Sequence, residues 1–126
     1  MAKLQWNDAW SVGDKHLDGQ HKQLVGLINM LEDDNTIPTV IDALGEYVRR
    51  HFHDEEAAME RAGYPDLAAH REQHAAFREW LASAEQMQHR GEVAGLLRDG
   101  IRAYLRTWLV NHILVSDKAY MPHLKK

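Results

Sequence analysis

The chain has 126 residues, 27% of them charged and 44% hydrophobic, with a net charge of −4 when its histidines are neutral. That describes one globular domain, without the basic excess that nucleic-acid binding needs and without an apolar run long enough to span a membrane. Cysteine is absent, which excludes disulfides, thiolate ligands, iron–sulfur clusters and cysteine nucleophiles together, whereas nine histidines are more than a chain of this size usually carries.

The first stretch lacks the apolar core of a signal peptide, so a cytoplasmic protein is expected. Residues 1–17 mix Trp6, Trp10 and Val12 with Asn, Asp and Gly and sustain no helical period. They read as an N-terminal arm that lays two indole rings on the body of the fold. A first helix is expected over about 18–33. Leu17, His21, Leu24, Ile28 and Leu31 step by four, three, four and three, the stripe of a bundle helix, with Asp18 as its N-cap and Glu32-Asp33-Asp34-Asn35 at its end. Pro38 near the first turn opens a second helix over 38–62, whose stripe is Val40/Ile41, Leu44, Val48, His51, Glu55 and Met59. Gly63-Tyr64-Pro65 stops it. A third helix, 66–89, carries Leu67, His70, His74, Phe77, Leu81 and Ala84, and Gly91 ends it. A fourth, 92–118, carries Val93, Leu97, Ile101, Tyr104/Leu105, Trp108 and His112, and Pro122 in the tail closes it by about 118. There are no strand signals or repeats. The expected fold is all-α, a single domain over 1–126 built as an up-down-up-down antiparallel four-helix bundle with an N-terminal arm.

Each stripe is apolar except where it carries His21, His51 and Glu55, His70 and His74, or His112. His51 and Glu55 are four apart, as are His70 and His74, so each pair shares one helical face. A lone histidine on a core face is more often a hydrogen-bonded core residue than a ligand. Six polar positions falling on the inward faces of four helices are a different matter, because unpartnered buried imidazoles and carboxylates cost several kcal/mol each. Either they satisfy each other or a cation satisfies them. Imidazole suits zinc, copper, iron and nickel, and this many ligands exceed one tetrahedral zinc. Bundle cores are a usual place for two-iron sites, but the ferritin-like version uses Glu-x-x-His on two helices. No Glu-x-x-His occurs here. A histidine-rich dimetal site is expected instead.

The set Asp18-x-Gln20-His21, His51-Phe52-x-x-Glu55-Glu56-x-x-Met59, His70-x-x-x-His74 and Trp108-Leu109-x-x-His112-Ile113-x-x-x-Asp117 resembles the hemerythrin family over nearly the whole chain, at the length of a single-domain bacterial member. The resemblance implies two iron ions joined by an oxo or hydroxo bridge and by Glu55 and Asp117. His70, His74 and His112 would complete one iron, and His21 and His51 the other, which keeps an open position for dioxygen. It also adds Asp117, which periodicity does not select: five residues advance an ideal helix by roughly 500°, off the face of His112. Phe52, Trp108, Leu109 and Ile113 would line a dry oxygen pocket, although plain core explains them equally well. His16, His53, His89 and His123 are expected to face solvent, and Glu56 to be solvated or to support the site from behind. The function implied is reversible dioxygen binding for storage or delivery by a non-enzymatic monomer, with an oxygen-consuming enzyme as recipient. The alternatives are an oxygen or redox sensor, an iron-handling domain, or a di-iron oxidase or peroxide-handling enzyme. A sensor usually carries a fused signalling domain, which favours the carrier.

Overall fold

A computed structural model of the chain describes residues 4–31 and 33–124. Among them the structure is entirely helical: α1 (Lys15–Met30), α2 (Ile37–Ala62), α3 (Leu67–His89), α4 (Gly95–Asn111), a π-helical turn (His112–Asp117) and α5 (Lys118–Leu124), with short 3-10 turns at Asp8–Trp10 and Asp34–Thr36. The four long helices form a four-helix bundle.

The first helix begins a turn earlier than its stripe suggested. Asp14, in extended conformation, accepts a hydrogen bond from the Leu17 amide and is the N-cap. Asp18 lies inside the first turn, where its carboxylate accepts from the Ser11 hydroxyl (2.5 Å) and the Val12 amide (2.9 Å). The expected cap at Asp18 is therefore corrected. A cap sits before the first helical residue, and Asp18 instead ties the arm to the helix that follows it. Part of the expected end of this helix, Glu32, lies outside the described residues. In the arm, Trp10 packs against the core, while Trp6 meets it edge-on (5.8 Å) and lies under the Lys22 ammonium (5.4 Å).

α2 is the longest element. Pro38 stands at its start, where a missing N–H costs nothing, and Gly63 ends it at φ 69°. In that left-handed conformation the Gly63 and Tyr64 amides turn back onto the Glu60 and Met59 carbonyls, a glycine-dependent stop. After the last helix of the bundle the helical run does not end at residue 118 as Pro122 suggested. α5 runs through Pro122 to Leu124. The helix-breaking tendency of proline is outweighed by tertiary anchors: Tyr120 is fully buried, and the Lys118 ammonium donates to the Ser11 carbonyl at 2.9 Å.

The core falls into two clusters. The larger includes Leu24, Ile28, Leu44, Val48, Phe52, Phe77, Leu81, Leu105 and Ile113, and the smaller Val12, Leu17, Ala58, Met59 and Tyr120. Along α2, His51 and Glu55 come between Val48 on one side and Ala58 and Met59 on the other, with Phe52 between the two. The polar residues therefore sit in a layer closed at both ends by hydrocarbon. Each fully buried Leu, Ile or Phe contributes roughly 1.5–3 kcal/mol, and this burial carries the cost of placing charged groups inside the bundle.

Candidate metal centre

α1, α2, α3 and the π turn contribute to the layer. α1 supplies His21, α2 supplies His51 and Glu55 one turn apart, and α3 supplies His70 and His74. The π turn supplies His112 from its first residue and Asp117 from its last. All seven are buried, and His21, Glu55, His74 and Asp117 completely so. The π turn brings Asp117 inward, because its i→i+5 hydrogen bonding returns residues five apart to one face.

The two carboxylates are central. Glu55 Oε2 lies 3.1 Å from His21 Nε2 and 3.4 Å from His51 Nε2, and Glu55 Oε1 lies 3.3 and 3.0 Å from the Nε2 atoms of His70 and His74. Asp117 Oδ2 lies 3.0 Å from His21 Nε2, and Oδ1 lies 3.1 Å from both His70 Nε2 and His112 Nε2. Two overlapping groups result: Glu55, His70, His74, His112 and Asp117, and His21, His51, Glu55 and Asp117. Within each, the candidate ligand atoms all lie within 4.8 Å of one another.

The donor set fits a metal cation. Neither Asp117 oxygen has a properly oriented hydrogen-bond partner despite these short separations, which leaves buried carboxylate lone pairs that a cation would satisfy, while His21 and His70 direct their Nε2 atoms at Glu55. His51 donates its Nδ1–H to Gln20 Oε1 at 2.7 Å, and His74 donates its own to Glu56 Oε2 at 2.7 Å. In the neutral rings each Nε2 then turns a lone pair toward a Glu55 oxygen, and His74 Nε2 also lies 3.1 Å from His112 Nε2. Lone pairs facing carboxylates repel unless a proton or a metal ion lies between them.

Electrostatics agree. Burial alone would lower the His21 and His70 pKa values, but the Asp117 and Glu55 carboxylates outweigh it and hold His21 at about 10 and His70 at about 9. Burial would raise Glu55. The charge of His51 and hydrogen bonds from His21, His51 and His70 hold it well below the carboxylate range instead. Asp117 is also depressed, against burial and the Glu55 charge, chiefly by His112. Burial and the two carboxylates push the Tyr120 phenol well above its ordinary value, so it remains a donor, and its hydroxyl donates to Glu55 Oε2 at 2.8 Å.

Two of the expected pocket residues lie against histidine rings of the layer. Phe52 stacks on His74 at 3.7 Å and Trp108 on His112 at 4.4 Å. Phe52, Trp108 and Leu109 border a very small cavity lined by apolar residues throughout, and Ile113 is fully buried in the same core cluster. The remaining histidines fall outside the cluster: His16 and His89 pair with Asp54 and Asp42 at the surface, His53 is exposed, and half-buried His123 meets Tyr64 edge-on. Periodicity did not single out Tyr120, which follows a proposed ligand by three residues. Nor did it single out Gln20 as a partner of His51, although Gln20 sits on the α1 stripe three after Leu17. A groove of about 580 Å³ between α3 and α4 also reaches His112, past Gln73, Ala76, Tyr104 and Trp108.

The chain is similar to known proteins over nearly its whole length. Residues 12–124 match the Hemerythrin HHE cation binding domain. A bacteriohemerythrin of Methylococcus capsulatus is 37% identical over 98% of this chain and 98% of its own length. Another, from Stenotrophomonas maltophilia, is 35% identical over 99% of this chain and 84% of its length. The crystal structure of a wild-type hemerythrin superposes with a TM-score of 0.88 at 35% identity, covering 99% of this chain and all of that one. With its family domain spanning nearly the whole sequence and its buried histidine–carboxylate layer intact, the chain belongs to the hemerythrin family.

Proposed function

We propose that this layer holds two iron ions and that the protein binds dioxygen reversibly as a carrier or store, not as an enzyme. The observation that carries the reading is the pair of overlapping ligand groups sharing Glu55 and Asp117. In this assignment Glu55 and Asp117 bridge. His70, His74 and His112 complete one position, while His21 and His51 leave the other one ligand short, the mark of a reactive rather than a closed metal site. When bound, the iron pair would supply the electrons that dioxygen takes up. The chain's own part is to keep that exchange reversible. Phe52, Trp108 and Leu109 bound a cavity lined by apolar residues, which gives water too few polar partners to settle there. Ile113 is fully buried in the same core cluster. Tyr120, held as a phenol, steadies Glu55 without supplying an acid at neutral pH.

No described helix is long and apolar enough to cross a membrane. The accompanying reading is a cytoplasmic monomer that passes oxygen to an oxygen-consuming enzyme. The experiment is to load iron, reduce anaerobically, admit oxygen and then remove it, following the visible absorption of the oxygenated form. A band that appears and disappears over repeated cycles supports the carrier. One-way conversion to a ferric form refutes it and favours sensing or catalysis.

A further inference from the structure

We propose that the outer partners of the ligand imidazoles make the two halves of the cluster unequal, so that the His70/His74/His112 half takes up metal first and the His21/His51 half loses it first. Gln20 and Asp54 act as positioning residues for the weaker half. The inference rests on the two-metal reading above.

An imidazole becomes a better donor when its second N–H is given to a strong acceptor, and that hydrogen bond also fixes which nitrogen faces the metal. The three imidazoles whose second nitrogens are settled here form a series. His74 Nδ1 donates to a carboxylate, Glu56 Oε2, at 2.7 Å, and Glu56 is itself held by Arg71 at 3.4 Å and Arg78 at 3.7 Å. His51 Nδ1 donates at the same 2.7 Å to an amide oxygen, that of Gln20, which carries no full charge. His21 Nδ1 is buried without any hydrogen-bond partner among the described residues. The strongest outer acceptor therefore serves the half with three imidazoles, and the half with two has an amide and an orphan.

Gln20 does more than accept a hydrogen bond. Its amide nitrogen donates to Asp54 Oδ2 at 2.8 Å, and His16 contacts the same oxygen at 2.9 Å. This continuous chain runs from exposed His16 through Asp54 and Gln20 to buried His51. It locks the amide: reversed, Gln20 would set its NH₂ against the His51 N–H and its oxygen against the Asp54 carboxylate. With the amide locked, His51 must keep its proton on Nδ1 and offer Nε2 to the site. With the lock removed, the other tautomer becomes accessible, and Nε2–H cannot bind a metal.

The test is release of ferrous iron, loaded anaerobically as the metal alone, to a colorimetric chelator, with metal-free protein for imidazole ¹⁵N NMR. Wild-type protein is expected to release two irons per chain in two phases of equal amplitude. Gln20→Ala should accelerate the fast phase by about 10–100-fold, the usual reach of outer partners, and Asp54→Ala less strongly, with the slow phase unmoved in both. Glu56→Gln should accelerate the slow phase instead. NMR should show His51 wholly as the Nδ1–H tautomer in wild type and mixed in Asp54→Ala, a signature that a merely structural contact would not produce. Release in a single phase, or equal acceleration of both phases by Gln20→Ala and Asp54→Ala, overturns the inference. Saturation below two irons per chain in wild type overturns the two-metal reading itself.

Discussion

Stripping the metal should give this protein an unusual dependence of stability on pH. His21 sits at about 10 and His70 at about 9 in the folded chain, against 6.5 for an ordinary imidazole. A raised pKa means that the folded state binds the proton more tightly than the unfolded state. The stabilisation is complete below about pH 6.5 and disappears as pH climbs toward 9–10. Glu55 is depressed well below its ordinary 4.5, so its contribution is present above that value and lost as pH falls. The metal-free protein should therefore be most stable between about pH 4.5 and 6.5. Above that window the folded state holds two protons that the unfolded state has released, a slope of roughly 2.7 kcal/mol per pH unit. From pH 6.5 to 8.5 the loss is about 5 kcal/mol, a large part of a domain's total stability. For a chain of this length that lowers the melting temperature by about 15–20 °C. Metal should reverse the slope, because the ligands must be deprotonated to bind and metal uptake improves as protons leave. The assay is a series of thermal melts by circular dichroism from pH 4 to 9, with and without metal. A metal-free melting temperature that stays level or rises between pH 6.5 and 8.5 would refute the argument that carboxylates hold His21 and His70 protonated.

Other substitutions probe separate parts of the structure. Glu55→Ala and Asp117→Ala should each lose most of the bound iron, measured as metal per chain after desalting, and full retention in Asp117→Ala would remove that residue from the bridge. Phe52→Ala deletes a fully buried ring stacked on His74. It should cost about 3–5 kcal/mol and lower the melting temperature by about 10–20 °C, with faster one-way oxidation of the loaded protein as water gains access. Asp14→Ala removes the α1 cap and should cost about 1 kcal/mol in urea titration, leaving the iron content unchanged.

The fold and the inward polar residues were legible because burial forces one residue period on a bundle helix. His21, His51, Glu55, His70, His74 and His112 occupy positions where a leucine would otherwise sit, and the structure brings all six into one layer. The start of α1 was not legible for a related reason. Asp14 and Asp18 are both good caps by type, and the one that caps is decided by how the arm folds back to place Ser11 and Val12 on Asp18. The hold of Gln20 on His51 joins residues 31 apart in sequence, and that of Tyr120 on Glu55 joins residues 65 apart. Such pairings exist only after the helices have packed, and no local pattern reports them. Pro122 misled for the same reason, since the anchors that keep α5 helical through it come from Tyr120 in the core and Ser11 in the arm.

Asp117 is the residue for which local rules gave the opposite answer, and its placement can be tested directly. Counting from His112 at 100° per residue puts it off the inner face, yet it is fully buried beside His70 and His112 because residues 112–117 form a π turn. Such a turn holds one residue more than an α-helical turn in nearly the same length of helix. Everything after it lies where a regular helix one residue shorter would put it. Deleting Val115, which is 70% exposed, should therefore convert the turn to regular helix, bring the aspartate to four residues after His112, and leave it and Tyr120 facing inward. The variant is expected to fold, to keep two irons per chain and to melt no lower than the parent. Deleting Arg106 from the regular part of α4 should behave differently, turning His112, the aspartate and Tyr120 together by about 100° away from the site and abolishing iron binding. If the Val115 deletion were as damaging as the Arg106 deletion, Asp117 would owe its position to something other than the widened turn.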